Sequence, residues 1–83
     1  MHPLKNSETI HLSDLSVGQS AVIQFFTDEE MSLKLLEMGC LPGETVRIER
    51  IAPLGDPIAI SVSGYLLSMR KEEAATIVVE IKA

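Results

Sequence analysis

Leu35–Pro57, LLEMGCLPGETVRIERIAPLGDP, decides the fold. Two Gly/Pro clusters bracket one short β-type run, and a charged, leucine-rich segment leads into the first cluster. Gly39 is free to turn left-handed after a helix, and Pro42 blocks its continuation. Leu41-Pro42-Gly43-Glu44 fits a type II turn, with Pro at the second position and Gly at the third, where φ must be positive. Thr45–Ile51 alternates, Val46 and Ile48 on one face and Arg47 and Glu49 on the other. Ile51 falls out of phase, which predicts a bulge or strong coiling. Pro53–Pro57 is a loop. The order is therefore helix, tight turn, strand, loop.

Upstream, Ser20–Phe26 reads as a half-buried strand, with Ala21, Ile23 and Phe25 facing inward. Thr27 and Glu30 form a capping box, which predicts a helix over about residues 28–38 with Asp28 and Glu29 at its positive end. Its apolar residues make two stripes. Met31, Leu35 and Met38 recur at helical spacing, while Leu33 and Leu36 lie opposite, with Cys40 just past the end in the same direction. Either the barrel and its loops cover both stripes, or the second meets another protein, because uncovered apolar patches mark interaction sites. Leu12 and Leu15 pin a short turn before Gly18.

Downstream, Ile58, Ile60 and Val62 alternate cleanly with Ala59, Ser61 and Ser63, and Gly64 breaks the run. Tyr65–Arg70 is a further short strand with Leu67 and Met69 inward. Residues 71–75 allow one helical turn, too short to stand alone. Thr76–Lys82 is the last strand, with Ile77, Val79 and Ile81 inward. Five short strands with one inserted helix predict a mainly β fold, a small SH3-like antiparallel barrel, in which closure would remove exposed edges.

Composition narrows function. The 83 residues suffice for one domain, expected over 11–83 behind a flexible segment 1–10. Twelve acidic residues outnumber seven basic ones, for a net charge of −5, so the clustered Lys and Arg that bind nucleic acid or anionic membranes are not there. No apolar run approaches the roughly 18 residues of a membrane span, so direct membrane insertion is not expected. The single cysteine, Cys40, forms no internal disulfide, which fits a reducing cytoplasm. No signal peptide is visible in MHPLKNSETIH.

No chemistry is legible. Cys40 reads more readily as a small apolar filler than as a nucleophile. No CxxC, HxxxH or HExxH is present, and His2, His11 and Cys40 fall short of the four ligands of a typical zinc site. The glycines sit singly at turns, so no phosphate loop, nucleotide site or other cofactor is expected. Asp28–Glu30 and Glu72–Glu73 lie at helix starts and read as solvated capping groups. Phe25, Phe26 and Tyr65 are too few for an aromatic groove that binds proline-rich peptides.

These segments resemble the FeoA family, ferrous iron transport protein A. The resemblance runs from about Leu12 to Ile81. It is carried by Leu35-Leu36-Glu37-Met38-Gly39, Leu41-Pro42-Gly43-Glu44, Ala52–Pro57, and Leu67–Ala74 with Ile77. Leu12-Ser13-Asp14-Leu15 and Gly18 agree with it. The chain departs from the pattern in carrying only Lys34 where basic residues precede the helix leucines, and Cys40 where an aliphatic residue is usual. The resemblance implies an SH3-like barrel without enzymatic activity. It further implies a cytoplasmic partner of FeoB, the ferrous iron permease with a GTPase domain, whose activity it modulates. The same barrel occurs in metal-dependent repressors, but no helix-turn-helix is legible here. The expected partner-binding residues are Leu33, Leu36 and Cys40, then Tyr65 and Leu66. The rival readings are a ferrous iron carrier or sensor using His11 and acidic side chains, and a homo-oligomer paired through the helix stripe.

Overall fold

The computed structural model describes residues 9–82. Its elements are β1 (Ile10–His11), a 3₁₀ turn (Leu12–Asp14), β2 (Ser20–Phe26), α1 (Glu29–Glu37), β3 (Thr45–Ile51), β4 (Ile58–Val62), β5 (Tyr65–Met69), α2 (Lys71–Ala74) and β6 (Ile77–Ile81). The strands form one antiparallel sheet in the order β1-β6-β2-β3-β4-β5. Six strands replace the expected five. The extra one is short, and it pairs Ile10 with Val79 and His11 with Val78. Ile10 is thus ordered at the end of the segment read as flexible, whose first eight residues lie outside the described ones.

One face of the sheet builds the core. Leu12, Ile23, Val46, Ile48, Ile60 and Ile77 are fully buried there, and Leu35 of α1 closes over them. Each such side chain contributes about 1.5–3 kcal/mol by leaving water. Two bulges coil the sheet. The β3–β4 register shifts between Ile48 and Arg50, as the phase of Ile51 predicts. The β2–β6 register shifts between Ile23 and Phe25. This second bulge reverses the phase of β2, so Phe25 is 55% exposed rather than inward, and Phe26 packs on the core in its place. Ile81, expected inward, is the last residue of β6, paired with Ala21, and is exposed. Among the described residues no ladder joins β5 to β1, so the barrel closes through its core and leaves two edges.

Helix α1 starts one residue later than the capping box requires. Asp28 is the cap, with extended backbone and a carboxylate that accepts from the Met31 amide at 2.9 Å. Thr27 is instead tied to the segment that leads into β6, its amide donating to the Thr76 carbonyl at 2.8 Å. The helix ends in a Schellman motif. The Cys40 amide donates to the Leu35 carbonyl at 2.9 Å and the Gly39 amide to the Leu36 carbonyl at 3.0 Å, with Gly39 at φ +100°. The type II turn follows as read. The Glu44 amide donates to the Leu41 carbonyl at 3.0 Å and Gly43 has φ +94°. This turn docks on β2, where the Gly43 amide reaches the Ile23 carbonyl at 2.8 Å. The end of α1 is thereby fixed against the barrel.

Candidate docking surface

The Schellman motif decides the fate of Cys40. The residue after the left-handed glycine contacts the helix residue one turn earlier. Here that pair is Cys40 and Leu35, both fully buried. Cys40 is therefore part of the core and not of a contact surface, which corrects the sequence expectation. Burial pushes its thiol pKa up, away from the reactive thiolate.

The other four expected contact residues are exposed. Leu33 and Leu36 stand 65% and 38% exposed on α1, away from the side where Leu35 is buried and Met31 and Met38 are partly buried. Tyr65 and Leu66 are 71% and 69% exposed at the start of β5. They do not form one patch. Tyr65 and Leu66 line an open groove of about 420 Å³ together with Met38, Leu41, Val62 and Leu67, between the C-terminal end of α1 and the β4–β5 hairpin. Leu33 and Leu36 do not line it. The sequence reading missed Met38 and Leu41 as groove walls. Met38 lies on the stripe assigned to the core, and Leu41 lies beyond the end of the helical pattern.

The hairpin that forms the far wall turns through Ser63 and Gly64, at φ 52° and 82°. Positive φ at both central residues is the geometry of a type I′ turn, whose twist matches the flanking strands. The β4–β5 register then runs without a shift from Val62↔Tyr65 to Ile58↔Met69. Ser63 Oγ donates to Glu44 Oε1 at 2.7 Å, which ties the hairpin tip to the last residue of the type II turn.

Glu73 is the second correction. It is 5% exposed, not a solvated cap. One carboxylate oxygen accepts from the Arg70 amide at 2.8 Å, and the other pairs with Lys34 Nζ of α1. The Lys34 hydrogen bond, followed by that amide, holds the Glu73 carboxyl below the usual carboxylate range. The pair crosslinks α1 to α2. With Met38 and Met69 it lines a neighbouring cavity of about 390 Å³ at the far end of β5. On the outer face, Glu49 accepts from Ser61 Oγ at 2.7 Å and from Arg47 at 2.8 Å, and these bonds lower its carboxyl pKa.

The His11 ring approaches Asp14, with Nδ1 at 3.7 Å from the carboxylate. His2 lies outside the described residues. Among the described residues no three of His, Cys, Asp and Glu are placed to hold a metal ion, and no helix is long and apolar enough to cross a membrane.

Residues 10–81 match the model of the FeoA domain. A Porphyromonas gingivalis protein named as a fusion of Fe(2+) transport protein A with the Fe(2+) transporter FeoB is 38% identical over 73 residues. That match covers 87% of this chain but only 9% of the fusion protein. The solution structure of a FeoA-like protein from Clostridium acetobutylicum superimposes with a TM-score of 0.86 at 35% identity, over 93% of this chain and 91% of that one. A zinc complex of Stenotrophomonas maltophilia FeoA, described as a prokaryotic SH3 domain protein, gives 0.75 at 30% identity, over 86% and 89%.

Proposed function

Because this chain belongs to the FeoA domain family, we propose that it is a non-enzymatic cytoplasmic accessory protein of ferrous iron transport, binding and modulating the cytoplasmic part of a FeoB-type permease. One observation carries the reading. In the P. gingivalis relative, a region 38% identical to this chain is covalently joined to FeoB. Two domains that work as one chain in one organism have a reason to meet as separate chains in another. The architecture supports this. The barrel supplies a rigid frame, and Leu33, Leu36, Tyr65 and Leu66 stand exposed on its helix and hairpin. The buried, desolvated Cys40 leaves no accessible thiol for chemistry.

The contact surface centres on Tyr65 and Leu66 with the groove they share. Leu33 and Leu36 form a second, separate patch. A complete interface of ordinary size takes about 800 Å² from each partner, more than the groove alone provides, so both patches are candidates. The test is calorimetric titration of the isolated cytoplasmic domain of the permease with this protein and with Leu66→Glu and Leu36→Glu. Saturable binding that Leu66→Glu weakens more than Leu36→Glu supports the reading. Absence of binding by the folded wild-type protein removes it.

A further inference from the structure

Among the described residues strand β5 is an edge of the sheet, and its register says which of its backbone groups point away from β4. In a two-residue hairpin the residues flanking the turn exchange both hydrogen bonds, and the pairs then alternate. Val62↔Tyr65, Ile60↔Leu67 and Ile58↔Met69 are therefore the bonded pairs. Leu66 and Ser68 aim their N–H and C=O groups away from β4. Among the described residues, no backbone bond from a turn, loop or cap reaches either of them.

Edges left open in soluble proteins are blunted by lysine, proline, bulges or brevity. The five residues of β5, Tyr-Leu-Leu-Ser-Met, include neither lysine nor proline, and the β4–β5 register has no bulge. The bulges of this sheet lie in β2 and β3. Beside the edge runs the apolar groove of Met38, Leu41, Tyr65 and Leu67. A strand added to β5 would direct alternate side chains into that groove and the others past Leu66 and Ser68.

Charge selects the occupant. The groove lining includes Glu37 and no Lys or Arg, and Glu44 is bonded to Ser63 at its rim. A second copy of the chain brings another net charge of −5 to this acidic rim. A basic segment is attracted to it. Building on the function proposed above, we propose that the permease's cytoplasmic part donates an extended segment, apolar at alternate positions and flanked by Lys or Arg, which pairs with β5 as a seventh strand. Main-chain bonds supply affinity in this mode and side-chain pockets supply specificity.

The experiment is amide hydrogen exchange on the whole protein, alone and with the isolated cytoplasmic domain of the permease, at two ionic strengths. In the free protein, Leu66 and Ser68 exchange fast while Tyr65, Leu67 and Met69 are protected. Adding the domain should slow Leu66 and Ser68 by about tenfold or more, and salt should weaken the effect. Leu66→Pro removes an outward N–H without breaking a bond to β4, and should weaken binding about tenfold, as expected for one lost backbone hydrogen bond. Should that variant fail to fold, exchange in the wild-type protein decides alone. Binding without protection at Leu66 and Ser68 overturns the strand-addition proposal and leaves the functional reading standing. Protection that salt does not weaken overturns the basic occupant. Protection that grows with the protein's own concentration, without the domain, assigns the edge to a second copy and overturns the proposal. Absence of binding overturns the functional reading, and this inference with it.

Discussion

The two edges of the sheet are built in opposite ways. β1 is two residues long and runs straight into the 3₁₀ turn, where Leu12 is fully buried and the Asp14 carboxylate accepts from the His11 amide at 2.9 Å. It offers little backbone to a newcomer. β5 is five residues long, straight and apolar, and its outer positions carry Leu66 and Ser68. Brevity protects the first edge. Nothing in the sequence of β5 protects the second, and an apolar groove lies alongside it. An unguarded edge and an apolar groove meet on the β5 side, where α1, the type II turn and the hairpin converge.

The largest effect should come from loosening β5 from beneath. Met69 is 2% exposed and anchors the strand in the core. Met69→Ala should cost about 2–5 kcal/mol in chemical denaturation, whereas Ile10→Ala on half-buried β1 should cost far less. Equal losses at the two sites would erase the contrast between the edges.

Next is the Lys34–Glu73 crosslink, which holds α1 beside the far end of β5. Glu73→Ala should destabilise the fold by about 1.5–3 kcal/mol, the usual range for hydrogen bonds to a charged group. The pH dependence has a definite sign. The folded Glu73 pKa lies below its ordinary value. Its stabilisation is therefore fully present above the unfolded carboxylate pKa, about 4.3, and is lost as pH falls through the lower folded value. Glu73→Gln should flatten the acid limb of a stability–pH curve, and an unchanged limb would show that the crosslink does not act through charge.

Asp28→Ala should cost about 1 kcal/mol by removing the α1 cap. Thr27→Ala should cost less, because Thr27 meets Thr76 chiefly through its backbone. A thermal melt of each variant sharpens the assignment of the helix start. The smallest stability change belongs to Leu66→Lys, within about 0.5 kcal/mol because the side chain is exposed. Calorimetric titration should show weaker binding of this variant to the permease's cytoplasmic domain, since a cation on the edge repels a basic strand.

Much of this arrangement was legible in the sequence. Gly39, Pro42 and Gly43 announced the helix stop and the type II turn, because the two glycines take a positive φ that few residues adopt and proline cannot continue a helix. The β3 bulge showed as the misplaced Ile51. The β2 bulge did not show, because Val22 and Phe26 are apolar on the face opposite Ile23 and the pattern gives no preferred phase. Cys40 was misplaced because it lies three residues beyond the end of α1, where the helical period no longer tells direction and the Schellman turn does. The burial of Glu73 depends on Lys34, 39 residues away. The freedom of β5 depends on strand order. Neither is a local property, so neither could be read from a segment.

Chemical-shift mapping of the isotope-labelled protein, titrated with the isolated cytoplasmic domain of the permease, tests the one-sided character most directly. Saturable shifts should cluster at residues 37–41 and 65–69. Shifts confined to β1 and the exposed end of β6, or no shifts at any ratio, would contradict it.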